Sequence, residues 1–518
     1  MRQHFFQTAA TRATRGHWSQ RLFGLAMATI LSGCAVGPDF VPPHPPQASG
    51  YSAMPPSSRT VAAKDSAGTS QHFVMGRDLP GDWWRVFGYA PLGSLVERAL
   101  NSNPDLRAAQ AALRMAEANT AAAQGGFFPQ ADGSFAASRQ KTGLGSTSGL
   151  ATDTPTYNLF TGQVQVSYTP DVFGGTRRLV ESLQAQANIE RFQLEATYLA
   201  LTAHIVLTSV QEASLRGQIA ATHKLIKIAA DLLHGLRAQF AAGAISEADI
   251  VTQEATLAQI EQSLPPLEQQ LAEQRHLLSA LTGGLPSEGL PETFELRDFH
   301  LPHDLPLSVP SQLVEQRPDI RAAEAKMQST SALIGVAVAN RLPNISLTAN
   351  YGVNALSPDQ VFAPGSNVWG IGGAALMPIL HGGTLFEREV TAREAFDQAS
   401  SQYRSAVIAA FQNVADCLSA LQNDAKALQK AVAFEGAAAK TLAIMRQRLE
   451  IGDVNYIELL NAQLTYQRAL ITLVIARRNR FADTAALFQA LGGGWWNRSD
   501  VESPKRRPFL SFITDPIY

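Results

Sequence analysis

The chain of 518 residues carries the same set of landmarks twice, about 210 residues apart. The landmarks recur in one order: residues 103–109 match 317–323, 128–130 match 342–344, 169–175 match 377–383, and 280–284 match 490–494. Four matches in the same order indicate a tandem duplication. Both halves of the chain are therefore expected to fold into the same unit.

Each copy begins with a helix that is followed by two strands. Pro104 and Pro318 are expected to lie at the start of a helix, because N–H groups in the first turn have no partner within the helix and the missing N–H of proline costs no hydrogen bond there. Apolar and polar residues alternate at 160–168 and 345–353, as they do along a two-faced strand, and less clearly in the Gly- and Ala-rich segments 131–139 and 367–377. Strands are predicted at 131–139, 160–168, 345–353 and 367–377, joined by loops at 141–150 and 355–366.

Helical spacing of apolar residues follows each Gly-Gly and persists for about 60 residues, or roughly 90 Å of helix. The two runs break only at Gly243 and Gly452, and a second helix then returns toward the Gly-rich landmark. Pro265 and Pro266 interrupt one return helix and should kink it. The pattern predicts two helical hairpins that pack as coiled coils.

The predicted strands are too few to close a membrane barrel within one chain. Strands of about ten residues with one apolar and one polar face are typical of such barrels, and single-chain barrels start at about eight strands. Because an open sheet edge in lipid leaves backbone groups unpaired, the four strands must close with those of other chains. The predicted fold is an α+β membrane protein that forms an obligate oligomer. A soluble strand hairpin on a helical adhesin is the alternative.

The first 33 residues have the pattern of a secretory signal peptide, with arginines, no acidic residue and a short apolar run at 22–31. Leu31-Ser32-Gly33-Cys34 resembles a bacterial lipobox. This pattern predicts cleavage before Cys34 and attachment of lipid to its thiol and amine. An ordinary signal peptide with an incidental cysteine is the alternative.

Composition and motifs exclude several classes of function. The formal net charge of −2 becomes more negative once the leader arginines are removed, so no basic surplus exists for a nucleic-acid partner. No enzyme activity and no cofactor are predicted, because the motifs of zinc proteases, serine hydrolases and nucleotide-binding enzymes are absent. His300 and His303 are too few ligands to predict a metal site. Besides Cys34 the chain has only Cys417, which leaves no intramolecular disulfide.

Several of these features together resemble the outer membrane efflux proteins, and within them the lipoprotein branch typified by OprM and NodT-type factors. The resemblance rests on the lipobox, on Gly37-Pro38-Asp39-Phe40, on the duplicated Pro…Gly-Gly between strand and helix, and on the closing stretch at 490–495. It spans residues 34–496. It implies a homotrimer in the outer membrane, with twelve strands in one barrel and a helical tunnel through the periplasm. It also implies a periplasmic adaptor and an inner-membrane, proton-driven RND pump as partners.

The hairpin turns are the predicted working parts. Glycine favours the left-handed cap at a helix end, and Ser246 or Asn455 can cap the helix that follows. These roles alone would explain the residue types. The resemblance implies in addition that the turns form the periplasmic tips where the adaptor docks. The predicted docking residues are Gly243, Ala244, Ile245, Gly452, Asp453 and Val454.

Relatives in this family often place acidic residues six and nine positions after the second turn glycine, and an aromatic residue three before it. This chain has Glu458 and Asn461 at the acidic positions and Leu449 at the aromatic one, while Asp249 holds the six-position in the first copy. We hypothesise that Glu458, repeated by trimer symmetry, forms an acidic ring that favours cations at a closed mouth. With Asn461 and Leu449 at these positions, the gate is expected to contain fewer charges and fewer hydrogen bonds than in those relatives.

The sequence as a whole predicts the outer membrane exit duct of a tripartite RND-type efflux pump for drugs or other small toxic compounds. A type I protein-secretion duct and a non-conducting periplasmic coiled-coil scaffold are the alternatives, and the cargo is not predicted. The predicted organisation is a signal peptide at 1–33, a lipidated Pro-rich arm at 34–90, a first efflux repeat at 91–290, a connector at 291–310, a second repeat at 311–496 and a tail at 497–518.

Overall fold

A computed structural model describes residues 35–48, 50–52, 57–141 and 156–498 of the chain. The predicted signal peptide, Cys34, nearly all of the predicted loop at 141–150 and the tail beyond residue 498 lie outside the described residues. The fold has two compact units, to which both repeats contribute. The sheet unit is bounded by Met1–Val41, Ala116–Ala187 and Lys326–Ser400, and the helix unit by Pro42–Met115, Asn188–Ala325 and Ser401–Tyr518.

The elements follow the order that the sequence predicts for each repeat. The helices are α1 (Ala90–Ser102), α2 (Pro104–Gln124), α3 (Gly175–Ala241), α4 (Glu247–Gln262), α5 (Leu264–Leu281), α6 (Pro310–Gln316), α7 (Pro318–Ala339), α8 (Thr384–Glu450) and α9 (Tyr456–Ala490). The strands are β1 (His72–Met75), β2 (Gln130–Lys141), β3 (Thr156–Tyr168), β4 (Asp304–Leu307), β5 (Asn344–Ala355) and β6 (Asn367–Leu376). The sequence did not predict α1, α6 or the short parallel pair of β1 and β4.

The long helices confirm the predicted hairpins. Both α3 and α8 are 67 residues long. The first return helix is divided at Ser263 into α4 and α5, directly before Pro265 and Pro266, whereas α9 runs without a break for 35 residues. Pro265 and Pro266 have no N–H to donate to the carbonyls four residues earlier, and their rings crowd those carbonyls, which explains the break. In the part of the chain that the structure describes, no helix combines the length and the apolar character needed to cross a membrane.

The four long strands form one antiparallel sheet in the order β2-β3-β5-β6. The central pair of β3 and β5 joins the two repeats, with Gln163 opposite Gly352 and Gln165 opposite Asn350. Strands β2 and β6 are the edges, and neither has a second partner strand among the described residues. The sheet is therefore open at both sides.

The strand register sorts most side chains of this sheet by polarity; near the strand ends Arg139 and Asn158 lie on the apolar face, and Val368 and Leu376 lie on the polar face. One face carries Ala131, Phe135, Phe160, Val164, Val166, Tyr168, Leu347, Ala349, Tyr351, Trp369 and Ile371; the other carries Asp132, Ser134, Gln163, Gln165, Ser167, Ser346, Thr348 and Asn350. On the apolar face Trp369 is 72% exposed and Ile371 is 81% exposed, so the described chain leaves this face uncovered. A polar face opposite an uncovered apolar face is the pattern of strands between lipid and a wet lumen.

The core of the helix unit is aromatic. Trp83 stacks on Phe488 with ring centroids 5.6 Å apart, while Phe299 packs against Phe87 and Phe481. None of these five side chains is more than 1% exposed. Large aromatic side chains remove much apolar area from water, so this cluster accounts for a large share of the burial in the unit.

Close packing explains the closing Gly492-Gly493-Gly494. Gly494 has φ +71°, and a Cβ atom there would lie 2.4 Å from the carbonyl oxygen of Pro80. A Cβ atom at Gly493 would lie 2.3 Å from the side chain of Leu199. Backbone atoms leave no room for a side chain at Gly494, and at Gly493 the φ of +67° disfavours any other residue, so the Gly-rich landmark allows the end of α9 to approach its neighbours closely.

Candidate functional site

The two hairpin turns share one backbone geometry. Gly243 has φ +76° and Gly452 has φ +73°, which confirms the predicted left-handed caps. The N–H groups of Ala244 and Asp453 each donate to the carbonyl five residues earlier, both at 2.9 Å. This is the Schellman arrangement, in which a left-handed glycine ends the helix and backbone hydrogen bonds satisfy its last carbonyls.

The helices that follow the turns begin at the predicted capping residues. The Asn455 side chain accepts a hydrogen bond from the N–H of Glu458 at 3.0 Å. In the first copy the Asp249 carboxylate accepts hydrogen bonds from the N–H of Ser246 at 3.0 Å and from its hydroxyl at 2.7 Å. The carboxylate of Asp249 is therefore held in a local cap, while Asn455 takes the capping role in the second copy.

The structure separates the four residues of the predicted gate. Glu458 and Asn461 are exposed and stand three residues apart on one side of α9. Asp249 is half-buried in its cap, and Leu449 packs against the hydrophobic cluster of the hairpins. Of the predicted docking residues, Gly243, Ala244, Gly452 and Asp453 are exposed, and Ile245 and Val454 are half-buried.

A hydrophobic cluster joins the two hairpins near these turns. Its buried members come from α3, α4, α8 and α9: Leu225, Ala229, Ile260, Ala438, Leu442, Leu459, Ala462, Tyr466 and Ala469. Lys224 donates a hydrogen bond to the hydroxyl of Tyr466 at 3.3 Å at the edge of the cluster. The two turns are thus held at the end of one packed four-helix assembly.

A buried polar link crosses this assembly, and sequence reasoning missed it. The Tyr456 hydroxyl donates to the side-chain oxygen of Gln253, whose amide donates to the Ala229 carbonyl at 2.8 Å. Gln253 is fully buried and Tyr456 nearly so. Burial raises the pKa of Tyr456, so its hydroxyl remains a donor at neutral pH. A usable signal was the position of Gln253 on an apolar helical stripe with Leu257 and Ile260.

Charged side chains at the turns are bound mainly in local pairs. Arg448 lies 2.7 Å from the carboxylate of Asp453, and Arg237 lies 2.7 Å from that of Glu254. The hydrogen bond that Arg448 donates to the Asp453 carboxylate raises the pKa of Arg448. Because both pairs are open to solvent, each contributes little to stability.

Apolar side chains beside the second turn are exposed. Ile451, in the turn directly after α8, is 78% exposed, and Ile457, in the first turn of α9, is 62% exposed. The second tip therefore presents two large aliphatic side chains to solvent. Elsewhere in the described chain, no group of three or more His, Cys, Asp or Glu is arranged to hold a metal ion.

Tyr456→Phe is expected to loosen the contact between the hairpins, because it leaves the buried oxygen of Gln253 without a donor. Such a loss costs about 1–3 kcal/mol. Amide hydrogen exchange should accelerate at both tips and stay unchanged in the sheet. The double variant Tyr456→Phe/Gln253→Met removes both polar partners and should regain much of the protection. Wild-type exchange rates in Tyr456→Phe would show that the link does not hold the hairpins together.

Comparison with known proteins places this geometry in a family. The family model described as "Outer membrane efflux protein" matches residues 95–284 and 309–493, which is more than half of the chain. The toluene efflux pump outer membrane protein TtgC of Pseudomonas putida is 28% identical over 501 residues, covering 94% of this chain and 100% of that protein. The pyoverdine export outer membrane protein OpmQ of Pseudomonas putida is 27% identical over 436 residues, covering 82% and 89%.

A solved structure shows the same architecture. The outer-membrane channel OprN matches with a TM-score of 0.79 and 25% identity, covering 89% of this chain and 100% of that one. The predicted combination of a four-stranded sheet with long helical hairpins is confirmed. Because the family model covers most of both repeats, the chain belongs to the outer membrane efflux protein family.

Proposed function

We propose that the chain is the exit duct of a tripartite RND-type efflux pump, which carries small toxic compounds across the outer membrane. The observation that carries this proposal is the two-faced sheet with open edges, joined in one chain to paired helical hairpins. The family is one of channels and not of enzymes. TtgC and OpmQ are named for toluene efflux and pyoverdine export, so their names favour small cargo over whole proteins.

Three copies of the chain close one barrel in this proposal. Each contributes four strands, so three contribute twelve, and the apolar face of the sheet meets lipid while the polar face lines the lumen. The helices lie in the periplasm. Cys34, which lies outside the described residues, carries the lipid in the mature protein, and several acyl chains anchor a protein firmly.

The junction between the two repeats supplies the geometry for the junction between copies. Within the chain β3 pairs with β5, and Ser182 of α3 bonds to Ser329 of α7 at 2.9 Å. The equivalent elements at the two ends of the sheet are β6 with α8, and α2 with β2. Three large apolar side chains at these ends are exposed: Phe128 between α2 and β2, Met377 directly after β6, and Phe386 in α8. Each end therefore presents one half of a junction that the chain already contains in complete form.

The repeat also predicts the register between copies. Pro129 and Pro343 align β2 with β5, and the pairing within each repeat then aligns β3 with β6. Within the chain, Gln165 of β3 lies opposite Asn350 of β5. The residue equivalent to Gln165 on β6 is Ala374, and the residue equivalent to Asn350 on β2 is Ala136. Ala374 of one copy is therefore expected to lie opposite Ala136 of the next. Both alanines then point to the polar face, as the closed sheet requires.

Cysteine cross-linking tests this register. In a Cys417→Ser background, Ala374→Cys/Ala136→Cys should give covalent dimers and trimers on non-reducing gels, because directly opposite residues in antiparallel strands can form a disulfide. The matched control is Ala374→Cys/Ala137→Cys, which shifts the pair by one residue and puts the two thiols on opposite faces. Cross-linking of the control alone would contradict the register, and a monomer in light scattering would contradict the barrel.

The hairpin tips receive the adaptor in this proposal, and the exposed Ile451 and Ile457 support it. In cells that lack the gene, a fluorescent efflux substrate should accumulate, and plasmid-borne wild-type protein should reverse the accumulation. Ile451→Asp/Ile457→Asp should fail to reverse it although the oligomer assembles, because charges disrupt an apolar contact. Ile451→Leu/Ile457→Leu should work like the wild type. Equal accumulation with and without the gene would speak against an efflux duct.

We retain Glu458 as the proposed source of an acidic ring at the closed mouth. Its exposed side chain, free of the cap that holds Asp249, supports this role. Glu458→Gln should reduce cation preference in single-channel recordings in planar bilayers, because it removes one negative charge from each copy. Unchanged selectivity would remove Glu458 from the gate. A complete lack of conductance in the wild type would favour the scaffold alternative.

A further inference from the structure

The motif Gly37-Pro38-Asp39-Phe40 has no part in the duct or its gate, yet the sheet unit holds the chain firmly at this point. Residues 35–39, here called the N-terminal segment, lie against the turn between β3 and α3. The N–H of Val36 donates to the carbonyl of Phe173 at 3.0 Å. A Cβ atom on Gly174 would come within 2.6 Å of the Ala35 side chain, so the two backbones touch.

One buried arginine binds most of this segment. The side chain of Arg178, on α3, is only 6% exposed. Its guanidinium donates to the carbonyl of Val36 at 3.1 Å, to the carbonyl of Gly37 at 3.3 Å and to the carboxylate of Asp39 at 2.7 Å. It also donates to Glu181 at 2.8 Å within its own helix. Three of its four partners therefore belong to the N-terminal segment.

Two glycines allow the segment to lie directly on α7. Gly37 has φ +92°, and a Cβ atom there would lie 2.4 Å from the Cα of Gly335. A Cβ atom on Gly335 would in turn lie 2.7 Å from the Val36 carbonyl oxygen and from the Arg178 side chain. Steric crowding thus explains why residue 37 of the motif is a glycine, and also why residue 335 on α7 is one.

The second repeat has no equivalent of this arginine. Helices α3 and α8 have the same length and begin at Gly175 and Thr384, which pairs Gly174 with Gly383 and Arg178 with Glu387. A glutamate cannot donate hydrogen bonds to backbone carbonyls as Arg178 does. Of the two repeats, only the one on which the N-terminal segment lies carries the donor, which indicates a cradle built for that segment.

We propose that the N-terminal segment is a clamp that couples the lipid anchor to the sheet, with Arg178 as its positioning residue. The proposal rests on the proposed lipidation of Cys34. Ala35 is bonded directly to Cys34, and consecutive Cα atoms are about 3.8 Å apart, so no flexible linker separates the lipid attachment from the clamp. The acyl chains then enter the bilayer beside the end of β3, and the force that retains them in lipid acts on the sheet itself.

A double-mutant cycle tests the clamp. The full-length protein is compared with an unlipidated form, Cys34→Ser behind an ordinary cleavable signal peptide, each with and without Arg178→Gln. The readout is the temperature at which the SDS-resistant oligomer is lost in proteoliposomes. Loss of the lipid should lower this temperature in the wild type and have little further effect in Arg178→Gln, because the lipid acts through the clamp.

Two further variants separate the clamp from a general loss of structure. Glu181→Gln removes the partner of Arg178 that lies outside the segment, so the effect of the lipid should persist. Gly335→Ala keeps every charge and favours the helix, but its methyl group should displace the segment and abolish the effect of the lipid. Amide exchange at Val36 should accelerate on the order of tenfold in Arg178→Gln and Gly335→Ala, and stay slow in Glu181→Gln.

The possible outcomes separate the clamp from the proposed function. The wild type could incorporate radiolabelled palmitate while removal of the lipid lowers the melting temperature of the oligomer equally with Arg178 and with Arg178→Gln. This result would overturn the clamp and leave the proposed duct in place. Unchanged protection at Val36 in Arg178→Gln would do the same. Absence of palmitate from the wild type would overturn both the lipidation and the clamp.

Discussion

Unpaired backbone groups at the two edges of the sheet constrain everything else in this fold. Strands β2 and β6 each present a row of N–H and C=O groups without a described partner, on a sheet whose apolar face is uncovered. Water would hydrate the edges but not the apolar face, and hydrocarbon would cover the face but not the edges. In the proposed trimer, pairing with further copies of the same sheet would satisfy both at once. The duplication would make that pairing simple, because each chain contains one complete junction between repeats and one half of it at either end.

The hairpin turns show how a repeated backbone acquires different chemistry in its two copies. Glycine and the Schellman hydrogen bonds fix the same path in both turns. In the first copy the Asp249 carboxylate forms part of the helix cap. In the second copy Asn455 caps the helix, and the side chain of Glu458 stays exposed. The Tyr456–Gln253 link ties the two unequal turns together inside the hydrophobic cluster. Backbone geometry is thus common to both repeats, and the difference between them lies in side chains.

Local patterns predicted this fold well because its main elements depend on the spacing of apolar residues and on the glycines and prolines that end helices and strands. Alternation located β3 and β5, the duplication extended the pattern to β2 and β6, glycine located the turns, and proline located the break near Ser263. What escaped prediction depends on residues distant in sequence. The apolar stripe around Gln253 indicates a buried side chain but not that Tyr456 is its partner, and Leu449 gave no sign that it would pack against the hydrophobic cluster. The role of Arg178 was hidden for the same reason, since its partners lie about 140 residues earlier.

The break at Ser263 makes the two hairpins mechanically unequal. Helix α9 is one continuous rod of 35 residues, or about 52 Å, and its hydrogen-bond ladder transmits an axial load along its whole length. The return path of the first hairpin is interrupted where α4 ends and α5 begins, one residue before Pro265, and bending is easiest at such a point. A load applied equally to both tips would therefore bend the first hairpin more than the second. The duplication supplies two arms of similar length, and one pair of prolines gives them different stiffness.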